Sequence, residues 1–391
     1  MPIGGRDTPA RVTLPYKAFT KTVIDGYPIY TFYIGGDTFL TLPLDANVRL
    51  PSAKSLPYKD MVDTLKNFPR DFFLQNGGIN VIASNVEVIE TRHEVKLTFN
   101  PGTGIVNGGH TQLAILDTRN IICLPDVTIK VEVIQHDFSL DKLAQIAASK
   151  NTASNVKEYS IAEKKGLFIP IKRLMKEEYE KHIIWYENRE VPNGKGITGI
   201  DLISLINLFN AKEYQGCFNR HTKQPNKSAT SKTSVFNDWI NDPSKHDLFY
   251  PLVNDIIELQ EHILSTFHES STRGLTNLNI ITKNNPPKQS IFDGKDLKWD
   301  LPKQFLLPWL ASFRADIYYD EANHEIGWHE DPKALFDRTA EKLSDILKQT
   351  YKSTYHSEIN RASKDSNLWQ ILYVTIDQSI DKSSHWKAYH V

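Results

Sequence analysis

Ile105-Val106-Asn107-Gly108-Gly109-His110-Thr111-Gln112-Leu113-Ala114-Ile115-Leu116 is the stretch around which the rest of this sequence is organised. Leu97 and Phe99 alternate with polar residues before it, which predicts a strand. A break at Asn100-Pro101-Gly102 follows, after which the apolar run resumes and then changes to helical spacing. The pattern therefore predicts a strand, a turn at the two glycines and a helix.

A turn of this kind has a definite chemistry. The first N–H groups of a helix lack internal acceptors, and glycine lets backbone donors approach an anion closely. The expected ligand is a phosphate group, with His110 and Thr111 in the first turn as a general acid/base and a hydroxyl donor. Short glycine turns also occur where nothing binds, so a purely structural turn explains the same residues.

Composition narrows the class of protein. The 391 residues are 40% apolar and 24% charged with a net charge of −1, which is typical of a soluble globular protein of two or three domains. A binding site for nucleic acid must therefore be a local patch. Cys123 and Cys217 form no close pair, which favours a reducing cytoplasm over a disulfide scaffold. Without a signal-peptide core or a long apolar run, we expect a cytoplasmic protein with no membrane association.

Familiar catalytic signatures are missing from the sequence. It contains no nucleophile elbow, Walker A loop, Gly-x-Gly-x-x-Gly fingerprint or kinase catalytic loop. His324 and His329 lie near acidic residues, but no His-Glu-x-x-His pattern exists, so we predict no metal site.

The periodicities predict an α+β fold with a mixed N-terminal sheet. We expect an α+β core domain over residues 1–137, a helical region over 138–270, and a C-terminal helical region over 271–391 with a hairpin at 316–329. In the core domain we predict a hairpin joining 27–34 to 39–42, a helix at 57–67, paired strands at 79–89 and 94–99, and a buried strand at 127–135. Further on we predict a helix that begins at the N-cap Ser139, and a helix over 198–209 that begins with a capping box at Thr198-Gly199-Ile200-Asp201. We also predict helices at 156–167, 170–185, 244–267, 301–313, 331–351 and 367–380, with a connector at 270–297.

Two further segments bear on function. Residues 219–233 interleave Arg220, Lys223 and Lys227 with hydroxyl residues, which fits either a solvated loop or a phosphate-contacting loop. Asn76-Gly77-Gly78-Ile79 is a second glycine turn, and a turn that needs positive φ accounts for it. If the two glycine turns converge, they would form one ligand site.

Three segments carry a resemblance to a known family: Asn47-Val48-Arg49, Phe68 to Ala83, and Gly104 to Thr111. In order and spacing they resemble the abortive-infection phage-resistance (AIPR) family, which has an Asn-Val-Arg segment, a Pro-x-x-Phe-x-x-x-Asn-Asn-Gly-Ile stretch and an Ile-Val-Asn-Gly-Gly-Gln-Thr motif. Ala148-Ser149-Lys150-Asn151-Thr152 resembles a helix end that follows in that family. The resemblance covers roughly residues 45–165.

Gly77 and His110 depart from the family pattern, which more often has Asn and Gln there, while the glycine backbone is retained. The resemblance implies a prokaryotic or phage-associated defence protein without fixing a reaction. More distantly, the strand, turn and helix resemble the ParB/sulfiredoxin superfamily, whose members bind nucleotide phosphates or DNA at that turn.

These observations lead to two hypotheses. In the first, an AIPR-like protein binds a nucleotide or nucleic-acid phosphate, with a nucleoside triphosphate and Mg²⁺ as the cofactor to expect and His110 as the catalytic candidate if hydrolysis occurs. The other predicted binding residues are Arg49, Asn76, Gly77, Gly78, Asn107, Gly108, Gly109 and Thr111. In the second, a DNA-binding regulator or adaptor uses Arg220, Lys223 and Lys227. A homo-oligomer or a defence-operon partner is the expected association, and the sequence leaves open whether the protein is an enzyme.

Overall fold

The structure is a computed structural model that describes residues 8–48, 50–119, 126–151, 157–214, 225–270 and 275–390. It divides into two compact units. The first comprises residues 1–166 together with Trp185–Glu190, and the second comprises Leu167–Ile184 and Val191–Val391. Across the described residues, no helix has the length and apolar character that a membrane crossing requires.

The first unit is built on two sheets and the helices beside them. Its strands are β1 Ala10–Pro15, β2 Ala18–Ile24, β3 Tyr27–Gly35, β4 Ile79–Ala83, β5 Asn85–Ile89, β6 Glu94–Phe99, β7 Gly104–Asn107 and β8 Thr128–Gln135. Its helices are α1 Leu56–Asn67, α2 Phe72–Gln75, α3 Gly109–Thr118, α4 Leu140–Lys150 and α5 Glu158–Lys164.

The larger sheet has the strand order β2-β3-β8-β4-β7 in the described part of the chain. Strands β4 and β8 are parallel, whereas the other neighbours are antiparallel, so the sheet is mixed as predicted. Along β8, Ile129, Val131 and Val133 are buried and alternate with more exposed residues. This alternation puts the apolar face of the strand into the core.

The smaller sheet, β1-β6-β5, is antiparallel. The predicted strand over residues 79–89 is interrupted at Ser84, whose N–H and hydroxyl both donate to the carbonyl of Thr98. The chain passes there from the larger sheet to the smaller one. Buried side chains from both sheets and from α3 form one hydrophobic core, which includes Phe32, Leu97 and Ile115.

The predicted hairpin between residues 27–34 and 39–42 is wrong. Strand β3 instead pairs with β2 across a turn at Asp25 and Gly26, whose φ angles of 50° and 84° suit a tight hairpin. Residues 39–42 form no strand, because the buried side-chain amide of Gln112 accepts from the Leu42 N–H at 2.8 Å and donates to the Leu42 carbonyl at 3.0 Å. A side chain on α3 thus takes the place of a partner strand.

The second unit contains most of the helices. They are α6 Ile169–Leu174, α7 Glu177–Glu180, α8 Gly199–Asn207, α9 Asn226–Thr230, α10 Lys232–Asn241, α11 Ser244–Asp247, α12 Val253–Ser270, α13 Lys303–Ser312, α14 Pro332–Gln349, α15 Ile359–Ala362 and α16 Ser366–Asp377. Its strands are β9 Ile183–Ile184, β10 Ile197–Thr198, β11 Thr282–Gln289, β12 Asp296–Asp300, β13 Ile317–Asp320, β14 Glu325–Trp328 and β15 Lys387–His390. The α+β class predicted from the sequence is confirmed.

Several predicted elements of this unit agree with the structure and others do not. The hairpin within 316–329 is confirmed as β13 and β14, and Thr198 caps α8 in the predicted capping box. The predicted helix over 170–185 is broken between α6 and α7, because Asn254 accepts from the Lys176 N–H and donates to the Leu174 carbonyl. The predicted connector over 270–297 contains most of the antiparallel pair β11 and β12.

Candidate functional site

The two glycine turns lie against each other at one edge of the larger sheet. Gly108, at the start of α3, has a φ of 101°, which a residue with a side chain rarely adopts. A Cβ added to Gly108 would lie 2.7 Å from the carbonyl oxygen of Gly78 and 2.8 Å from the Cα of Ile79. The close approach of the two backbones therefore requires glycine at position 108.

Asn76 ties the two turns together. Its Oδ1 accepts from the Gly78 N–H at 2.8 Å, and its amide contacts the Thr111 hydroxyl at 3.1 Å through Nδ2 and 3.2 Å through Oδ1. Thr111 is buried, with 2% of its surface exposed. The side chains of Asn76 and Thr111 therefore hold the two turns in place, because they bond to each other and to the Gly78 backbone.

His110 is held by the loop that precedes α1. Its Nε2 lies 3.1 Å from the backbone nitrogen of Ser52, which is a donor. Nε2 must therefore be the acceptor, so the neutral imidazole carries its proton on Nδ1. This contact fixes the orientation of the ring at the start of the helix.

The turns open into a cavity of about 600 Å³ that lies within the first unit. Among the described residues, its wall contains amide and hydroxyl side chains, glycine backbone, an imidazole, a carboxylate and an ammonium group, together with apolar side chains. The lining residues are Asn47, Pro51, Ser55, Pro57, Met61, Asn76, Gly77, Gly78, Asn80, Asn107, Gly108, Gly109, His110, Thr111, Lys150, Asn151, Glu187 and Asn188.

The C-terminal end of α4 places the Lys150 ammonium at the cavity. Lys150 Nζ lies 3.2 Å from Asn80 Oδ1 and 3.3 Å from Glu132 Oε1, and both partners are on strands of the larger sheet. The Lys150 carbonyl in turn accepts from Asn107 Nδ2 at 2.7 Å. The helix end and the glycine turn are therefore joined through the asparagine that precedes Gly108.

A separate segment completes the wall. Trp185–Glu190 belongs to the first unit although it is distant in sequence from the rest of the cavity. Asn188 has a φ of 64° and donates from Nδ2 to the Leu50 carbonyl at 2.8 Å. Glu187 accepts from the Lys157 N–H at 3.2 Å. These bonds place one amide and one carboxylate at the cavity.

The structure brings together most of the site predicted from the sequence. Asn76, Gly77, Gly78, Asn107, Gly108, Gly109, His110 and Thr111 all line the cavity. Arg49, Arg220 and Lys223 lie outside the described residues. Their predicted roles stay predictions.

Lys227 belongs to the second unit, on α9. Its ammonium lies 2.8 Å from Asp238 Oδ2, and this hydrogen bond lowers the pKa of Asp238. The Asp238 carboxylate already neutralises part of the charge that a phosphate would meet. DNA contact through the basic segment stays a prediction.

Sequence reasoning missed Lys150, Asn80, Asn151 and Asn188 as cavity residues. The sequence does contain a signal for two of them, because Lys150 and Asn151 lie in a segment that carries the family resemblance. Asn188 gave no such signal, since its place at the cavity depends on a long-range bond to Leu50.

The comparison with protein families decides the identity of the chain. A family model described as AIPR protein matches residues 44–364. The chain belongs to the AIPR family. The match extends well beyond residues 45–165, where the resemblance was visible, and takes in most of the second unit. No curated protein matches the chain, and no solved structure does.

Membership of the AIPR family supports a role in phage defence by abortive infection. The cavity with the two glycine turns lies within the region that the AIPR model matches. The more distant resemblance to the ParB/sulfiredoxin superfamily stays a prediction.

Proposed function

We propose that this AIPR protein acts in phage defence by binding a nucleotide or nucleic-acid phosphate in the cavity where α3 begins. The observation that carries the proposal is the meeting of the α3 N-terminus and the Lys150 ammonium in one cavity. Gly108 and Gly109 supply backbone without side chains at this end of the helix. The ligand class to test first is a nucleoside triphosphate with Mg²⁺.

Helix geometry makes the start of α3 attractive to an anion. The first N–H groups of a helix have no acceptors within the helix, and the helix dipole places partial positive charge at that end. The N-cap residue is glycine, which has no side chain to satisfy these donors. A phosphate oxygen would therefore replace the missing cap.

Lys150 adds a full positive charge to this partial one. Its pairing with Glu132 is solvent-accessible, with 41% and 30% of the two side chains exposed. Such pairs contribute about 1 kcal/mol or less, so a phosphate can compete with the carboxylate for the ammonium. Asn80 would then orient Lys150 through the 3.2 Å bond between Nζ and Oδ1.

In this proposal Asn76 and Thr111 are positioning residues, because their polar atoms already bond to each other and to Gly78. His110 is the general acid/base candidate if the bound phosphate is hydrolysed. Hydrolysis through Nε2 of His110 would require that atom to give up the Ser52 N–H.

A matched pair of lysine variants tests the proposal. Lys150 and Lys96 each have a carboxylate oxygen at 3.3 Å, and their side chains are 41% and 44% exposed, but only Lys150 lines the cavity. We expect Lys150→Met to weaken binding of Mg²⁺ nucleoside triphosphates, measured by calorimetry and by thermal stabilisation, and Lys96→Met to leave it unchanged.

A ligand at one hundred times its dissociation constant stabilises the folded state by about 2.7 kcal/mol, which gives a clear thermal shift. If single-stranded DNA is the ligand, Lys150→Met should also lower the slope of log affinity against log salt by roughly one unit. Equal loss in both lysine variants, or no binding of any nucleotide or DNA to the unmodified protein, would remove the proposal.

A further inference from the structure

Three asparagines in the cavity wall have amides whose orientation is fixed by backbone carbonyls. Nδ2 of Asn107 donates to the Lys150 carbonyl, and Nδ2 of Asn188 donates to the Leu50 carbonyl. Nδ2 of Asn151 donates to two carbonyls, those of Val106 and Ala147, both at 2.7 Å. A carbonyl only accepts, so the nitrogen of each amide must face it, and the oxygen is turned the other way.

The three oxygens are acceptors without donors. Within the residues described, Oδ1 of Asn107, Asn151 and Asn188 receives no hydrogen bond from the chain. Asn151 is only 6% exposed and still lines the cavity. A ligand donor could therefore bond to these oxygens without displacing a donor from the described part of the chain.

Glu187 adds a negative charge to the same cavity. Its carboxylate is a strong acceptor and repels a second phosphate nearby. The cavity therefore contains two kinds of surface: an anion-binding end at α3 and Lys150, and a set of acceptors formed by amide and carboxylate oxygens.

From this pairing we infer that the cavity takes a free nucleotide, with its phosphate at the start of α3 and its ribose hydroxyls or base N–H groups at the acceptor oxygens. The inference rests on the proposed phosphate site and names the ligand class for it. The phosphodiester backbone presents acceptors only, so it would not satisfy these oxygens. The cavity volume of about 600 Å³ also lies within the range of small-molecule sites.

Calorimetric titrations with defined probes test the inference. The probes are the four ribonucleoside triphosphates with Mg²⁺, inorganic tripolyphosphate with Mg²⁺, and a single-stranded DNA oligonucleotide. We expect at least one nucleotide to bind about tenfold more tightly than tripolyphosphate, because each added hydrogen bond typically changes affinity by several-fold to tenfold.

Two variants remove acceptor oxygens and one serves as a control. Asn107→Ala deletes one acceptor, and Asn188→Gly deletes another while tolerating the positive φ at that position. Asn67→Ala removes an exposed amide that bonds to Asp63 on α1 and does not line the cavity. We expect each of the first two to weaken nucleotide binding by roughly five- to tenfold more than it weakens tripolyphosphate binding, whereas Asn67→Ala changes neither.

The titrations distinguish a failure of the nucleotide inference from a failure of the proposed phosphate site. Equal affinity for nucleotides and tripolyphosphate would overturn the inference while leaving the phosphate site in place. Tighter binding of the oligonucleotide than of every nucleotide would also overturn it. If no probe binds, the phosphate site itself falls, and the inference falls with it.

Discussion

Replacing Gly108 by alanine tests whether the close approach of its backbone to Gly78 and Ile79 requires glycine. The left-handed φ of 101° costs a residue with a side chain about 1–2 kcal/mol. The added Cβ would also lie 2.7 Å from the Gly78 oxygen and 2.8 Å from the Ile79 Cα, which overpacks the turn at a cost of about 1–3 kcal/mol. We therefore expect Gly108→Ala to lower the free energy of unfolding by roughly 2–5 kcal/mol.

Gly77 provides the matched control for this substitution. It lines the same cavity, but its φ is not positive and a Cβ added there meets nothing within 4 Å. We expect Gly77→Ala to be neutral or to stabilise by up to about 1 kcal/mol, because alanine restricts the unfolded chain.

Hydrogen exchange followed by mass spectrometry as a function of urea measures both effects locally, on peptides from β7 and α3. A local readout is needed because a chain of two units need not unfold in one step. With a urea dependence near 2 kcal/mol per M, Gly108→Ala should lower the midpoint for these peptides by about 1–2.5 M. An unchanged midpoint, or an equal fall in Gly77→Ala, would refute the reasoning.

Two further predictions each concern one buried side chain, Gln112 in the first unit and Asp316 in the second. Gln112→Ala removes the side chain that bonds to the Leu42 N–H and carbonyl. We expect it to lower the free energy of unfolding by roughly 2–4 kcal/mol in the same exchange experiment. A decrease below about 0.5 kcal/mol would show that the Gln112 bonds do not hold residues 39–42. Burial raises the pKa of Asp316 to about 8, above its unfolded value near 3.9, so its contribution to stability is present at acid pH and is lost as pH rises through 8. Asp316→Asn should therefore flatten the fall in stability of the second unit between pH 5 and 8, and parallel curves for variant and unmodified protein would contradict this.

The sequence by itself determined the elements whose cause is local. The strand, glycine turn and helix around Gly108, the alternation along β8, and the Ser139 and Thr198 caps of α4 and α8 are all present in the structure. These features depend on side-chain periodicity and on hydrogen bonds that span three or four residues. Such short-range causes can be identified without knowing the fold.

Tertiary structure alone decided which residues meet. The bond from Gln112 to Leu42 spans 70 positions and the bond from Asn188 to Leu50 spans 138, and no local pattern predicts either. The first prevents residues 39–42 from forming a strand, and the second brings an amide from a distant segment to the cavity. The glycine turns could be found from the sequence. The amides of Asn107 and Asn188 are oriented by hydrogen bonds to carbonyls distant in sequence, so the direction of their oxygens depends on the tertiary structure.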